Sequence, residues 1–306
     1  MNITIVAGAR PNFMKIAPII EAIQNKKKNG FNINYRLVHT GQHYDKNLSG
    51  TFFEELNIPL PDTNLEVKSG SQAEQTAAIM IGFEKELNQN PCDLVMVVGD
   101  VTSTMACTIV AKKANINVAH VEAGIRSGDM RMPEEINRIV TDSLTDYFFT
   151  TSSYANENLE KLGVSKSNIF FVGNVMIDTL LKNESRFKNP GLWNDLKLSS
   201  KKFLVMTLHR PSNVDEEEQL KKLITQIATL GKNYALAVIT DSGGITEEAT
   251  VMNVPCITLR DSTERPETCS IGTNVLVGND TKKIEVAFKN LLAGNWAQAQ
   301  TPELWD

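Results

Sequence analysis

Three acidic residues in the first half of the chain lie where acid–base chemistry is possible. Asp100 and Glu122 each follow a short apolar run that predicts a buried strand, and Glu134 follows a proline that suits the start of a helix. A glutamate that ends a buried strand is costly to bury without a partner or a task. Asp100, in contrast, could simply cap the next helix, and Glu134 could serve only to stabilise a helix N-terminus.

A different chemistry, the binding of an anion, is indicated by the stretch TDSGGITEEA at 240–249. It follows an apolar run and leads into a predicted helix, whose first amides have no intrahelical acceptor and suit a phosphate. Small residues at Ser242, Gly243 and Gly244 allow the backbone to approach that phosphate closely. One turn further, Glu248 suits ribose hydroxyls. The alternative is an ordinary strand-to-helix turn with an Asp or Ser N-cap.

Several basic residues also follow predicted strands. In GARPNFMK, Arg10 and Lys15 could bind phosphate, although both could equally be solvated surface residues. His209 in LHRPSN closes a strand and could meet negative charge on a leaving phosphate. Arg138 could pair with an acid one turn earlier on its helix, and Arg265 lies in the charge-rich loop RDSTERPE. No GxGxxG dinucleotide fingerprint follows the first strand.

The elements that would position these residues are short apolar runs alternating with amphipathic stretches, which predict parallel sheets covered by helices on both faces. We predict strands at 3–6, 35–39, 94–98, 118–121, 147–150 and 169–172, and then at 203–208, 236–239, 256–259 and 274–277. Helices are predicted at 11–24, 72–87, 104–114, 134–144 and 154–162, and then at 216–230, 246–252 and 282–292. The fold class is therefore α/β, with an N-terminal domain at 1–170, a connector at 171–198 and a C-terminal domain at 199–306. Ligands of such sheets bind at the carboxyl ends of the strands.

Composition excludes several classes of protein. The 306 residues are 42% hydrophobic and 22% charged, as is usual for a globular enzyme, and the net charge of -5 argues against a nucleic-acid partner. No apolar run reaches the length of a membrane span, and the N-terminus has no signal-peptide pattern. Four scattered cysteines without a CxxC pair predict buried thiols in a reducing cytoplasm.

Taken together and in order, these motifs resemble those of the non-hydrolysing UDP-N-acetylglucosamine 2-epimerases. The resemblance rests on GARPNFMK, TGQHYD, GDVTSTMA, HVEAGIRSGD, PEEINR, GNVMID, LHRPSN, TDSGGITEEA and RDSTERPE. It implies two Rossmann-like doubly wound domains facing a cleft, of the GT-B type. It also implies a cytoplasmic homodimer that interconverts UDP-GlcNAc and UDP-ManNAc for surface polysaccharide without a nicotinamide cofactor or a metal.

The resemblance also assigns roles to residues. UDP leaves C1 as the C2 proton is removed, which gives 2-acetamidoglucal, and UDP then adds back with the proton delivered to the opposite face. Asp100, Glu122 and Glu134 are implied to be the acid, base and charge-stabilising groups, in an order that the sequence leaves open, and His209 assists the departing diphosphate. The residues implied to bind substrate are Arg10, Lys15, Arg138, Ser242, Gly243, Gly244, Glu248 and Arg265.

The chain departs from this family in its length. Members usually carry a further strand with a His-Pro motif and more βα units near 231–234, and a C-terminal helix after the point where this chain ends. Either the shortening is genuine or the sequence omits residues of the natural chain, and we favour omission, because a deletion there would expose apolar core. An intact mass of 33.9 kDa for the natural protein would exclude omission.

Two further expectations concern regulation and competing functions. Many bacterial members bind a second, activating UDP-GlcNAc, and Gln42 and Arg210 match residues of that site, whereas Asp45 and Ser71 replace a usual Gln and Arg. The alternative functions are a hydrolysing UDP-GlcNAc 2-epimerase, or a non-catalytic UDP-sugar binder if the shortened domain is real. A GT-B glycosyltransferase is less well supported, because it offers no evident task for three carboxylates.

Overall fold

The computed structural model describes residues 1–41, 53, 58–198, 203–231, 236–296 and 300–305, with the backbone but not the side chain of residue 10. The chain divides into two compact units, unit 1 at Met1–Thr179 and unit 2 at Leu180–Asp306. None of the described helices is long and apolar enough to cross a membrane.

Unit 1 is built on a parallel sheet of seven strands. They are β1 (Asn2–Ala7), β2 (Asn34–His39), β3 (Thr63–Asn64), β4 (Leu94–Val98), β5 (Asn117–Val121), β6 (Tyr147–Thr150) and β7 (Ile169–Phe171). Their order in space is β3-β2-β1-β4-β5-β6-β7, and every pairing is parallel. This order reverses direction at β1 and β4, which makes their carboxyl ends the expected place for a ligand.

Helices connect these strands. They are α1 (Arg10–Lys28), α2 (Gln72–Gln89), α3 (Thr102–Lys113), α4 (Pro133–Leu144), α5 (Ser153–Lys161) and α6 (Val175–Asn183). The alternation of β1 shows why two helical layers are needed: Ile3 and Ile5 join the core cluster that contains Ile16 of α1, whereas Val6 joins the cluster that contains Phe83 of α2. Because successive side chains of a strand point to opposite faces, both faces of the sheet are covered.

Unit 2 contains a parallel sheet of four strands and its own core. The strands are β8 (Leu204–Thr207), β9 (Ala237–Thr240), β10 (Cys256–Thr258) and β11 (Asn274–Leu276), in the order β11-β10-β9-β8. The described helices that follow α6 are α7 (Leu192–Asp195), α8 (Pro211–Val214), α9 (Glu217–Leu230), α10 (Gly243–Val251), α11 (Pro266–Ser270) and α12 (Thr281–Leu292). Apolar residues of α9 and α12 pack with β9 and β10 in one cluster.

The outer strand β8 is unusual for a parallel sheet. Strands of such sheets are normally buried on both faces, yet Val205 is 42% exposed and Met206 is 37% exposed. Within the described part of unit 2, β8 pairs only with β9. Within the described residues, an apolar strand therefore forms an edge of this sheet.

The structure confirms the predicted α/β class and Rossmann-like layers, and it corrects several local expectations. Helix α6 was not predicted; it lies in the stretch expected to be a connector, and the division between the two units, after Thr179, falls within that stretch. The short strand β3 was not predicted. The helix predicted at 246–252 begins earlier, at Gly243, as α10, and Ser242 is its N-cap residue.

Candidate active site

The loop after β1 is fixed by a buried asparagine. The Asn12 side chain accepts hydrogen bonds from the amides of Gly8 (3.1 Å) and Ala9 (2.9 Å), and it donates to the Val98 carbonyl oxygen (3.1 Å). A Cβ on Gly8 would lie 1.8 Å from the Ser103 hydroxyl, so only glycine fits there. Arg10 is the first residue of α1. The loop is therefore tied to the carboxyl end of β4.

Lys15 and Glu122 form a buried ion pair across this end of the sheet. Lys15 Nζ lies 2.5 Å from Glu122 Oε2, and Glu122 is 4% exposed. Glu122 has a positive φ of 67°, which costs energy for a residue that is not glycine and often marks a functional site. A Cβ on Gly99 would lie 3.3 Å from Lys15 Nζ and 3.7 Å from Glu122 Oε2. The pair thus lies directly beside the residue that precedes Asp100.

Asp100 pairs with Arg138 and does not cap a helix. Arg138 Nη2 lies 2.5 Å from Asp100 Oδ2, and the Asn137 side chain donates to the Asp100 carbonyl oxygen (2.8 Å). The N-cap of α3 is Val101, which makes no side-chain capping bond. The capping alternative for Asp100 is therefore wrong. We call Asp100, Glu122, Lys15 and Arg138 the carboxylate cluster.

Of the two acids in the first turn of α4, the structure gives clear contacts to one. Glu135 is buried and accepts from the amides of Ser127 (2.9 Å) and Gly128 (3.0 Å) and from Arg138 Nη1 (2.9 Å). Burial alone raises the pKa of Glu135, but these hydrogen bonds outweigh it and keep the pKa below its usual value. Glu134 is half-buried, one turn before Arg138 on the same helix. Glu135, which the sequence analysis did not select, holds the loop before α4.

In unit 2, a buried aspartate orients His209. His209 Nδ1 lies 2.6 Å from Asp241 Oδ1, and the amides of His209 (3.1 Å) and Arg210 (3.0 Å) donate to the same carboxylate, as does Asn213 Nδ2 (2.9 Å). Asp241 is 0% exposed, whereas the His209 side chain is 62% exposed. Burial raises the pKa of Asp241, but its hydrogen bonds outweigh burial and lower it. Because the ionised carboxylate only accepts, Nδ1 carries the hydrogen and the rest of the ring faces outward.

The start of helix α10 lacks a side-chain cap. Ser242 occupies the N-cap position, but its side chain makes no capping hydrogen bond. Since the carboxylate of Asp241 is taken up by His209 and its neighbours, neither an Asp nor a Ser caps the helix as the alternative supposed. We call Ser242, Gly243 and Gly244 the anion cradle. A Cβ on Gly243 would lie 3.8 Å from Arg260 Nη1, which puts a buried guanidinium beside the cradle.

The acids one turn into α10 differ in their surroundings. Glu247 is buried and forms an ion pair with Arg265, the N-cap residue of α11. Glu248 is half-buried, and its pKa is raised first by burial and then by the neighbouring charge of Glu247. Arg260 pairs with Glu264 at 2.8 Å. The guanidinium of Arg265 is therefore engaged within unit 2, whereas Glu248 remains partly open.

The residues expected at an activating site are only partly described. Gln42 and Asp45 lie outside the described residues. Arg210 is half-buried, and its Nε donates to the Asp241 carbonyl oxygen at 3.3 Å. Ser71 is the N-cap of α2 and forms a capping box with Glu74, in which each side chain accepts from the other residue's amide. Ser71 thus has a local structural task.

Each unit supplies a different chemical capability. The carboxylate cluster of unit 1 offers groups that can take or give a proton and stabilise positive charge. Unit 2 offers helix amides, a guanidinium and an oriented imidazole, which suit a diphosphate. Nowhere in the described ranges do three His, Cys, Asp or Glu residues come together in a way that could hold a metal ion.

Sequence reasoning missed three residues that organise these sites, namely Glu135, Asp241 and Arg260. Asp241 follows the buried strand β9 directly, and Arg260 follows β10 after one intervening residue, which is the same kind of signal that selected Glu122. Glu135 gave no such signal, because an acid in the first turn of a helix has an ordinary explanation.

Comparison with known proteins gives a consistent set of relatives. The family model described as UDP-N-acetylglucosamine 2-epimerase matches residues 24–237 and 232–304. The UDP-N-acetylglucosamine 2-epimerase of Methanocaldococcus jannaschii is 37% identical over 97% of this chain and 94% of its own length. The UDP-2,3-diacetamido-2,3-dideoxy-D-glucuronate 2-epimerase of Pseudomonas aeruginosa is 34% identical over 91% and 88%. The crystal structure of the M. jannaschii enzyme in complex with UDP-GlcNAc and UDP matches with a TM-score of 0.84 at 36% identity and covers 100% of this chain and 97% of that one.

Proposed function

The chain belongs to the UDP-N-acetylglucosamine 2-epimerase family, and on that premise we propose that it interconverts UDP-GlcNAc and UDP-ManNAc by eliminating UDP and adding it back. It is an isomerase of the non-hydrolysing kind. The observation that carries the proposal is the pairing of two chemistries in one chain: a cluster of buried and half-buried carboxylates, and an uncapped helix start beside an aspartate-oriented histidine.

The proposed reaction breaks two bonds of the sugar and later remakes them. A base takes the proton from C2, the electrons of that C–H bond form the C1=C2 double bond, and the C1–O bond breaks with its electron pair leaving on UDP. The intermediate is 2-acetamidoglucal. An acid then delivers a proton to the opposite face of C2 while a UDP oxygen attacks C1. The C2 hydrogen is not alpha to a carbonyl, so positive charge develops on the ring and nearby carboxylates stabilise it.

In unit 1 we assign the proton transfers and charge stabilisation to Asp100, Glu122 and Glu134. The contacts of Asp100 with Arg138 and of Glu122 with Lys15 support this role, because each cation holds its carboxylate in place beside the carboxyl ends of the strands. Which of the three removes the C2 proton stays open. Arg10 is proposed to bind phosphate on the basis of its position at the start of α1.

In unit 2 we assign the binding of UDP to the anion cradle, with Glu248 on the ribose hydroxyls and Arg265 supporting the same region. His209 assists the departing diphosphate, and Asp241 fixes its orientation. The carboxylate keeps the hydrogen of His209 on Nδ1, so Nε2 is the nitrogen that can serve a phosphate oxygen. Arg260 beside the cradle adds positive charge for the diphosphate.

A second sugar substrate is suggested by one relative. The P. aeruginosa protein is named for a diacetamido glucuronate and is 34% identical to this chain, close to the 37% of the M. jannaschii enzyme. Both substrates share the UDP group and the C2 centre, so the site described above suits either. UDP-GlcNAc is the substrate that we propose, and its product would supply ManNAc units for surface polysaccharide.

The function is tested by following UDP-GlcNAc in heavy water by proton NMR. The epimerase should incorporate deuterium at C2 and build up UDP-ManNAc until the two sugars reach equilibrium. Stoichiometric release of UDP with free ManNAc would establish a hydrolysing enzyme, and tight UDP binding without exchange would establish a binder. If the protein turns over only the UDP-diacetamido uronate, then the proposed substrate is wrong and the proposed class of reaction is retained.

We also propose that the second domain is shortened near residues 231–234, with domains at 1–170 and 199–306. Three observations support this proposal. The family match is broken into two pieces that overlap at 232–237, and β8 has exposed apolar residues. The alignment to the M. jannaschii enzyme spans 350 positions, while 97% of this chain is about 297 residues, so about 50 positions have no counterpart. An intact mass above 33.9 kDa for the natural protein is expected if residues are omitted.

The assembly, location and regulation are proposed on the family premise. We propose a homodimer in the cytoplasm, a compartment that suits the four free cysteines. We also propose activation by a second UDP-GlcNAc through Gln42 and Arg210. Hyperbolic kinetics from UDP-ManNAc that added UDP-GlcNAc leaves unchanged would contradict that regulation.

A further inference from the structure

His120 in β5 is a fully buried histidine with an acceptor on each ring nitrogen. Nδ1 lies 2.7 Å from Asp142 Oδ1, and Nε2 lies 2.8 Å from the Gly99 carbonyl oxygen. A neutral imidazole carries a hydrogen on only one of its nitrogens. Both contacts can be hydrogen bonds only when both nitrogens carry hydrogen, and therefore only when the ring is charged.

We propose that His120 is a positioning residue, with hydrogen on both ring nitrogens, that fixes the two loops bearing Asp100 and Glu122. The roles of these two carboxylates rest on the proposed function, whereas the charge state of His120 does not. His120 touches no substrate in this proposal. It acts through the Gly99 carbonyl, immediately before Asp100, and through its own strand, which ends immediately before Glu122.

Asp142, the carboxylate partner of His120, also holds the loop that follows β5. Asp142 also accepts from Arg126 Nη1 (2.7 Å) and from the Gly124 amide (3.1 Å). Burial alone raises the pKa of Asp142, but the charges of His120 and Arg126 outweigh burial and keep that pKa below its usual value. A buried carboxylate that stays ionised needs compensating positive charge.

The loops on either side of His120 turn at residues with positive φ. Gly99 has a φ of 69°, Glu122 a φ of 67° and Gly124 a φ of 78°. The Gly99 amide donates to the Val121 carbonyl oxygen (3.0 Å), so the loop after β4 is bonded to the end of β5 on one side and to His120 on the other. Loss of the Nε2 hydrogen bond frees the Gly99 carbonyl and lets Asp100 move relative to Glu122.

The charge state can be observed directly by nitrogen-15 NMR of the histidine side chains. The chain has four histidines, so selective labelling gives few signals, and His120→Gln identifies the one from His120. We expect that ring to show two protonated nitrogens, one for each acceptor, under the conditions in which deuterium exchange is assayed. A single protonated nitrogen on His120 under those conditions would overturn the proposal.

The positioning role is tested by comparing substitutions of two aspartates. One contacts His120 and the loop after its strand, and the other contacts only the far end of that strand. Asp142 contacts His120 and the Gly124 amide at the carboxyl end of β5, whereas Asp146 accepts from the Val118 amide (2.7 Å) near the amino end and pairs with Lys112. His120→Gln should lower kcat for C2 deuterium exchange about 100-fold, as expected when reacting groups are misplaced by about 1 Å, with KM changed little. Asp142→Asn should have a smaller effect, because a neutral His120 can still donate from Nε2 to Gly99. Asp146→Asn should lower thermal stability without changing kcat.

The outcomes separate this inference from the proposed function. Folded His120→Gln and Asp142→Asn proteins with wild-type kcat would overturn the positioning role, as would equal losses of kcat in Asp142→Asn and Asp146→Asn. If His120→Gln does not fold, Asp142→Asn supplies both the kinetic comparison and the loss of one protonated ring nitrogen. Wild-type protein that exchanges no deuterium would refute the proposed function, while its NMR spectrum would still decide the charge of His120.

Discussion

Replacing Asp241 with asparagine should disable His209 while leaving the fold intact. Asparagine has the same shape, but one carboxylate oxygen becomes an NH₂ group. That group must face either His209 Nδ1 and its amide, or the Arg210 amide and Asn213 Nδ2, and all four of these groups are donors in the wild-type structure. In either orientation the buried NH₂ group of the asparagine faces two hydrogen-bond donors and has no acceptor there.

The size of the effect follows from the burial of Asp241, which is 0% exposed. An unsatisfied buried polar group costs about 1–3 kcal/mol, and loss of a well-placed general acid lowers turnover by about 10²–10⁴-fold. We therefore expect kcat of Asp241→Asn to fall by about 10²-fold or more, with a decrease in Tm of about 2–4 °C for each kcal/mol of lost stability. The dissociation constant of UDP should change much less.

A double-mutant comparison with His209→Gln tests the reasoning. If Asp241 acts only through His209, then the double variant should be about as slow as His209→Gln alone, because residues that act as a unit are not additive. Deuterium exchange at C2 measures turnover, and titration calorimetry measures UDP binding. Wild-type kcat in Asp241→Asn, or effects that multiply in full, would refute the role of Asp241.

Substitutions elsewhere should separate binding from turnover and test the buried charges. Gly243→Ala places a methyl group in the anion cradle without a steric clash and should weaken UDP binding by about tenfold, or about 1.4 kcal/mol. The control Gly191→Ala, where the added methyl group meets open space, should bind UDP like the wild type. Equal UDP affinities of the two variants would contradict the role of the anion cradle. The amide variants of the proposed catalytic carboxylates are Asp100→Asn, Glu122→Gln and Glu134→Gln. Each should lower the rate of deuterium exchange by about 10²–10⁴-fold and preserve UDP binding. Lost UDP binding with normal turnover in any of them would contradict the role of that carboxylate. The pKa of Asp142 is lowered on folding, so its stabilisation is present above the usual pKa of 3.8 and is lost as pH falls through the lower folded value. Urea unfolding should therefore show the same advantage of wild type over Asp142→Asn at pH 7 and pH 5 and a smaller advantage at pH 3, and a gap that widens toward acid would contradict this.

The sheet strands were predictable because their sequences are short, continuous apolar runs. The run 94–98 is predicted and observed with the same limits, since a strand of a parallel sheet is buried on both faces and shows little alternation. Helix α6 was missed because it lies in a stretch rich in Asn and Lys, and β3 has only two residues. The predicted start of helix α10, at residue 246, lies three residues after the observed start at Gly243. Glycines favour turns, so the two glycines at the beginning of this helix were not recognised as helical.

The partners of the candidate site residues could not be predicted. Lys15 and Glu122 are 107 positions apart in the chain, and no local rule joins them. The same is true of His209 and Asp241, which meet only because β8 and β9 are neighbours in the sheet. Sequence position correctly selected residues at strand ends, whereas ion pairing, burial and the absence of helix caps required the fold.

The central claim is that the C1–O bond to UDP breaks and re-forms during each epimerisation. It is tested most directly with UDP-GlcNAc that carries oxygen-18 in the bridge between C1 and the β-phosphate, followed by phosphorus NMR. Because free rotation of the released phosphate equalises its oxygens, the label should move from the bridge to non-bridging positions during epimerisation. UDP-ManNAc that forms while the label stays in the bridge would contradict elimination of UDP, and with it the roles proposed for His209 and the anion cradle.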